Sequence, residues 1–396
     1  MFDKALQRKG GMNKIALQVQ RAFVERFGVA PDRLIRAPGR VNLIGEHTDY
    51  SGGFVMPLAL EQALWIAIRP RSDKSVVIHS LDYIDSIELK LLDPKVHLKG
   101  WPEYLKGVVW AMQEEKWSLS GWEGVMAGDV PQGAGLASSA ALETAFIRAF
   151  AEVSRISWEP KIAAKLAQRA ESEWVGISCG IMDQLISACG VSGHALFIDC
   201  RNLDILPVAL PEGVRVIVLD SKTRRGLVDS LYNERHSQCE EASRILGKSL
   251  LRDVSLPELD AQSTRLTPLL YRRVRHVITE NQRVQHAVEA MHANDLNLLG
   301  QLMQESHTSL RDNFEVTNSA LDDIVECALA APGCLGARMT GAGFGGCAVA
   351  LVKTEQEIDF GKSVSNCYFK KTGLDPNIIS CIPTDGASSH EPIAVK

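Results

Sequence analysis

The chain has no apolar run near the roughly 20 residues that a membrane-spanning helix needs, so no membrane partner is expected. Its first stretch, MFDKALQRKGGMNK, lacks the apolar core that an export signal requires. No CxxC pair occurs among nine cysteines. An odd number without a spacing rule argues against a disulfide framework and suggests a reducing, cytoplasmic setting. A basic face is also missing: the net charge is −5, and nucleic-acid binders usually carry a basic stripe. Two short basic clusters, Thr223–Arg225 and Tyr271–His276, read as solvated faces. No internal repeat or low-complexity segment is present. With 396 residues, 45% of them hydrophobic, the chain can bury a large core and is expected to divide into two domains.

Strand and helix signals alternate along the chain. Ile15, Val19, Phe23 and Phe27 recur every four residues and Gly28 follows, which predicts an amphipathic helix from Met12 to Gly28. Strands are expected around 41–44, 63–69, 75–79, 86–90 and 121–127, and helices over 103–116, 136–153 and 160–174. Further strands read at 195–199 and 214–220, and helix dominates from 229 to 330. Strands 336–340, 347–352 and 378–382 close the pattern. This mixture, with antiparallel-looking neighbours, predicts an α+β fold with mixed sheets. The domain boundary is expected near residue 200, give or take about 20 residues, dividing the chain into 1–200 and 201–396.

Two glycine-rich loops stand out. In GDVPQGAGLASSAALETA, Gly133 and Gly135 precede small residues that open a helix. Glycines let backbone N–H groups approach an anion, and a helix N-terminus adds unpaired N–H groups and a positive dipole end. Ser138 and Ser139 bring hydroxyls that could cap the helix or reach a phosphate or a metal ion. A serine-capped turn explains the glycines equally well, but the paired serines followed by two alanines favour phosphate. GxxxxGK[ST] is absent. The second loop, TGAGFGGCAVALV, matches GxGxxG, yet Cys347–Val352 reads as a strand, whereas a dinucleotide fingerprint opens a helix. It reads instead as a turn whose backbone leans on a ligand or another loop.

The stretch RVNLIGEHTDY puts Glu46, His47 and Asp49 behind Gly45, with Arg40 upstream. No HExxH or other zinc spacing is present. Carboxylate acceptors and an imidazole suit a ligand covered in hydroxyls, since one carboxylate accepts from two neighbouring hydroxyls. The residues allow either such a polyol grip or a capped loop. Asp183 in CGIMDQ reads by itself as a helix cap or as a carboxylate in a partly desolvated site. Glu171 and Glu173 lie on an expected helix.

Three separated motifs, RAPGRVNLIGEHTDYSGGFVMPLAL, GDVPQGAGLASSAALE and RMTGAGFGGCAVAL, make the chain resemble the galactokinases of the GHMP small-molecule kinase superfamily. The first motif is the galactokinase-specific one; the second is shared across the superfamily. The resemblance implies a two-domain GHMP kinase fold with the active site in the interdomain cleft. It implies ATP-dependent phosphorylation of the anomeric hydroxyl of α-D-galactose by a cytoplasmic monomer that uses ATP and Mg²⁺. By the same resemblance, Asp183 is the catalytic carboxylate and Arg40 its basic partner. Glu46, His47, Asp49, Gly180 and Tyr232 would hold the sugar. Gly133, Ala134, Gly135, Leu136, Ala137, Ser138 and Ser139 would wrap the triphosphate, with Trp101 near the adenine. Ser139 and Glu171 would hold Mg²⁺. The family's triple serine is here Ala137-Ser138-Ser139. A kinase for a related sugar such as N-acetylgalactosamine, or a sensor that binds without turnover, are the alternatives.

Overall fold

The structure is a computed structural model that describes residues 14–83, 86–91, 97–224 and 228–394; residues 1–11, to which the sequence assigns no role, and Arg225 lie outside these. Helix α1 (Lys14–Phe27) carries the four-residue repeat as expected. Its Val19 and Phe23 are fully buried, and burying one such side chain stabilises by about 1.5–3 kcal/mol. Gly28, at φ +71°, ends the helix in the left-handed region that glycine enters at no steric cost.

Strands β1 (Arg33–Asn42), β2 (Phe54–Val55), β3 (Pro57–Pro70), β4 (Ser75–Ser80) and β5 (Ser86–Lys90) follow, then helix α2 (Trp101–Glu114) and β6 (Trp122–Gly128). Next come α3 (Ser138–Val153), α4 (Pro160–Arg169), α5 (Met182–Cys189), β7 (His194–Asp199), β8 (Asp204–Ala209) and β9 (Val214–Asp220). A helical stretch holds α6 (Val228–Leu246), α7 (Leu256–Ala261), α8 (Pro268–His292), α9 (Leu296–Ser309) and α10 (Ser319–Leu329). The chain finishes with β10 (Cys334–Thr340), β11 (Cys347–Lys353), α11 (Glu357–Thr372), β12 (Asn377–Cys381) and β13 (Ser388–His390).

These strands form a six-stranded sheet in the order β13-β1-β3-β6-β4-β5, a four-stranded sheet β10-β11-β9-β12 and a three-stranded sheet β2-β7-β8. The β4–β6 pair is parallel and its neighbours are antiparallel, so the mixed α+β expectation holds. Alternation along β1 and β3 sends Ile35, Ile66 and Ile68 to a core shared with α2 and α3. Leu34, Trp65 and Ala67 point to the other face, where α1 packs. A further cluster joins Val41, Leu43 and Leu136 to Val216, Val284, Met303 and Val349. Apolar packing thus ties the first strand and the phosphate-type loop to the four-stranded sheet and its helices.

Several expectations need correction. The apolar run 41–44 marks the end of β1, which extends back to Arg33; Leu43 and Ile44 lie just past the strand, buried and still bonded through their backbone to Met56. Strands β8 and β13 carried no readable signal: DILPVA contains a proline and SSH is polar. The helix expected over 160–174 stops at Arg169 and passes into a π-helical turn, Ala170–Val175. The cluster Tyr271–His276 is not uniformly solvated, because Arg273 is 1% exposed and His276 is 0% exposed. Arg273 is tolerated there because Gln238 Oε1 (2.8 Å), Asn313 O and Glu315 Oε2 (2.6 Å) take its N–H groups. Cysteine is not wholly unpaired either: Cys327 on α10 is bonded to Cys367 on α11, and the other seven are free thiols.

Candidate active site

Asn42 ends β1, and the chain leaves the sheet through Gly45, which only glycine suits: a Cβ there would lie 2.6 Å from the Phe54 carbonyl oxygen. The loop that follows brings the polar cluster inward. Glu46 is 2% exposed and His47 5% exposed. Glu46 Oε2 accepts from Asn42 Nδ2 (2.7 Å) and Arg338 Nη2 (2.8 Å), and Oε1 accepts from Gly341 N–H. Burial pushes the Glu46 carboxyl above its ordinary value, against the pull of the Arg338 guanidinium.

His47 adopts φ +61°, in the left-handed region that a residue with a Cβ rarely enters. Its Nε2 lies 3.1 Å from the Ala342 carbonyl oxygen and its Nδ1 lies 3.0 Å from the Tyr50 hydroxyl. A carbonyl only accepts, so Nε2 carries the hydrogen and Nδ1 accepts from the tyrosine. Burial lowers the imidazole to about 3, so it is neutral at ordinary pH. Asp49 starts a short 3-10 turn (Asp49–Ser51). The backbone N–H groups of Tyr50 and Met182 reach its carboxylate, yet burial and then the nearby Asp183 charge raise it to about 7.

Asp183 sits in the first turn of α5 without capping it: Ile181 is the N-cap and no side chain bonds back to the helix end. Instead Arg40 grips Asp183 with two bonds, Nε to Oδ1 (2.9 Å) and Nη2 to Oδ2 (2.7 Å). This is the bidentate fork geometry in which arginine is strongest. Nη1 of Arg40 also donates to the Gly135 carbonyl oxygen, tying this pair to the glycine loop. The cap reading of Asp183 therefore fails, and the partly desolvated reading stands.

The glycine loop turns through Gly133 (φ +61°), Gly135 (φ +73°) and Ala137 (φ +59°). Ala137 is the N-cap of α3 and has no hydroxyl to spend on the helix, and neither serine caps it. The first N–H groups of a 16-residue helix are thus left to an incoming anion. The second glycine turn does lean on the first, as its strand context suggested. A Cβ on Gly341 would lie 3.0 Å from Gly135 O, and one on Gly346 would lie 3.0 Å from Ala134 O. β10 and β11 flank this turn and pair through Thr340 and Cys347.

These parts line one cavity of about 280 Å³ that holds Arg40, Glu46, His47, Asp49, Ser138, Ser139, Glu171, Gly180, Asp183 and Tyr232. Gly133, Gly135, Leu136 and Ala137 line it as well, while Ala134 is fully buried behind the loop and lines neither this cavity nor its neighbour. That neighbour, about 380 Å³, shares Gly133, Ser138 and Ser139 with the first and is walled by Trp101, Tyr104, Tyr83 and Leu142. Its flat apolar lining suits an aromatic base, and the shared serines mark the passage between the two spaces. Glu171 is buried and its Oε2 takes the Gln184 side-chain amide (2.6 Å), whereas Glu173 pairs with Arg169 at the surface. Ser139 and Glu171 offer two hard oxygen donors beside the phosphate cradle, which fits Mg²⁺ completed by phosphate and water oxygens. Among the described residues no group of three or more His, Cys, Asp or Glu could hold a metal alone. Sequence reasoning missed Arg338, Asn42 and Gln184. Arg338 lay inside a quoted motif, but nothing in a single arginine within a strand pattern reveals that it would meet Glu46.

Family models match at three places: a galactokinase galactose-binding signature over residues 21–70, the GHMP kinase N-terminal domain over 103–191 and the GHMP kinase C-terminal region over 287–369. Mevalonate kinase of Methanococcus jannaschii, 18% identical with a TM-score of 0.66, covers 89% of this chain and 98% of its own, and shares the fold. The matches to both GHMP kinase regions, on a fold whose glycine loop opens α3, place the chain among the GHMP-type small-molecule kinases. The curated galactokinase of Chloroflexus aggregans is 46% identical over 374 residues, 93% of this chain and 96% of that one. Lactococcus lactis galactokinase, solved with galactose, is 32% identical with a TM-score of 0.89, covering 93% and 98% of the two chains. On this identity and coverage the chain belongs to the galactokinase family.

Proposed function

We propose that the chain transfers the γ-phosphoryl group of ATP to the anomeric hydroxyl of α-D-galactose, giving ADP and α-D-galactose 1-phosphate. The observation that carries this reading is the Arg40–Asp183 pair, 2.7 Å apart, standing where the polar loop meets the glycine loop. Asp49 would accept from the 3- and 4-hydroxyls, with Glu46 and His47 toward the C6 end and Gly180 and Tyr232 along the wall. The triphosphate would lie on Gly133 to Ser139, with Leu136 and Ala137 at its edge and Ala134 supporting the loop from behind. Trp101 would flank the adenine.

In the reaction the anomeric O–H bond breaks as the oxygen bonds to the γ-phosphorus, and the bridging oxygen leaves with ADP. Asp183 takes the proton and later returns it to solvent; Arg40 faces the charge that gathers on the phosphoryl oxygens. Positioning and electrostatic stabilisation supply most of the acceleration in such transfers. Mg²⁺, held by Ser139 and Glu171, would supply further neutralisation of phosphate charge. The chain is read as a cytoplasmic monomer, with seven free thiols beside the single Cys327–Cys367 bond. No helix among the described residues is long and apolar enough to cross a membrane. The division into domains near residue 200 stays a proposal: it parts most of the first sheet from β9 and the long helices, but it crosses the β7–β8 pair and leaves β13 with the second half.

A coupled ADP-release assay across galactose, glucose, N-acetylgalactosamine and arabinose tests the reading. Galactose is expected to give the highest kcat/KM. A preference for N-acetylgalactosamine would move the assignment to that sugar, and ADP release independent of any sugar would defeat it. A Gly180→Ala variant is a sharper probe of the sugar wall. Its Cβ would fall 1.6 Å from Asp49 Oδ2, so Asp49 must move. Galactose KM is expected to rise at least about tenfold, roughly 1.4 kcal/mol, with ATP KM unchanged. An unchanged galactose KM would remove Gly180 from the sugar site.

A further inference from the structure

Helix α8 belongs to none of the three motifs, yet three of its side chains converge on the backbone of the loop that carries Glu46, His47 and Asp49. His276 Nε2 lies 3.1 Å from Glu46 O. Glu280 Oε1 accepts from Gly45 N–H (3.0 Å) and Glu46 N–H (3.3 Å). Asn281 Oδ1 accepts from Phe54 N–H (2.7 Å). Positions 276 and 280 share one helix face and 281 lies on its flank, and all three are buried. None lines the cavity.

A second tier fixes these side chains in turn. Ser306 Oγ (2.6 Å) donates to Glu280 Oε1, and Arg283 Nε (2.8 Å) donates to Oε2. Ser309 Oγ lies 2.9 Å from His276 Nδ1. Because Glu46 O can only accept, His276 carries its hydrogen on Nε2 and takes the serine hydroxyl at Nδ1. Burial opposes the charge on Glu280, but Arg283, with Arg338 and the Ser306 hydrogen bond, outweighs it and holds the carboxyl at about 2, while burial lowers His276 to about 4.

The arrangement brackets a strained residue. His47 sits at φ +61°, a conformation that costs about 1–2 kcal/mol for a side chain with a Cβ and persists only where its surroundings over-determine it. The clamp holds the backbone just before His47, at 45 and 46, and again at 54. Phe314 packs between the two imidazoles, 5.0 Å from His47 and 4.6 Å from His276. The glycine loop takes no hydrogen bond from these three α8 side chains; it is held through Arg40 and the β10–β11 turn, whose Gly341 and Ala342 also bond Glu46 and His47.

We infer that Glu280, with His276 and Asn281, is the positioning device of the sugar loop: it fixes the backbone from which Asp49 and His47 are presented, without touching the sugar. This inference rests on the proposed sugar site. A clamp on one loop moves one substrate's binding and spares the other's.

The test uses the full chain with Glu280→Gln and the milder Asn281→Ala, measuring both KM values, kcat and thermal midpoint, beside Asp49→Ala as a control. Glu280→Gln is expected to raise galactose KM at least tenfold with ATP KM within twofold, and to lower kcat by less than galactose KM rises. Asn281→Ala is expected to raise galactose KM three- to tenfold, and it alone decides the matter if Glu280→Gln does not fold. Galactose KM within twofold of the parent in each folded variant, whatever the thermal midpoint does, overturns the clamp. So does an equal rise in both KM values. An Asp49→Ala control with unchanged galactose KM would instead fault the sugar site itself.

Discussion

Asp183→Asn is expected to lower kcat by about 10²–10⁴-fold, the range that a positioned proton acceptor contributes. The side chains are nearly isosteric, so the α5 turn and its packing stay. What changes is chemistry: an amide does not take the anomeric proton, and its NH₂ group would face either the Arg40 guanidinium or the incoming hydroxyl. Arg40 spends two donors on this carboxylate, so the variant also frees an arginine arm that had been held beside the glycine loop. Galactose affinity, carried by another loop, is expected to change by no more than a few-fold. Steady-state kinetics with calorimetric galactose titration separates the two quantities. A kcat within tenfold of the parent, about 1.4 kcal/mol of barrier, would take the proton away from Asp183.

Asp49→Ala acts on the other substrate term. A charged acceptor of hydroxyl groups contributes about 1.5–3 kcal/mol, so galactose KM should rise about 10- to 150-fold, with ATP KM little altered. Preference for galactose over glucose, which differ at C4, should narrow at the same time. The carboxyl is raised to about 7, which gives a second readout. Below that value it is protonated and loses acceptor capacity, so galactose KM should climb as pH falls from 8 to 6, by up to tenfold per unit. Asp49→Asn should flatten that slope. For folding the sign is opposite: the native state binds this proton more tightly than the unfolded chain, so the group's contribution to stability declines as pH rises from about 4 toward 7. A galactose–glucose ratio that survives Asp49→Ala would remove this residue from the hydroxyl pair.

Motif spacing made the site legible wherever local chemistry was concentrated. Gly133 and Gly135 were readable because an anion cradle needs both positive-φ turns and a following helix, and α3 supplies the helix. The GxGxxG context was readable because β11 is an unbroken apolar strand, which excluded a dinucleotide turn. Asp183 was not readable by itself: a lone carboxylate near a helix start looks like a cap, and its true partner, Arg40, is 143 residues away. The same distance problem hid Glu280, 235 residues from Gly45, and Arg338, 292 residues from Glu46. Long-range polar contacts of this kind leave no periodic trace, since each partner looks like an ordinary residue of its own segment. Arg273 and His276 show the converse: a run of charge reads as a wet face, though helical spacing places part of it inward.

The short strand β13 carries a consequence for how the molecule is made. Its three residues pair with β1 through Leu34–His390, Ile35–Ser389 and Arg36–Ser388, more than 350 positions downstream. During synthesis the rim of the first sheet stays uncovered until residues 388–390 have left the ribosome, and an uncovered rim invites pairing with other chains. Cutting the gene near the middle would strand that last staple on the wrong fragment, so the front portion expressed alone should aggregate unless the closing strand is restored to it.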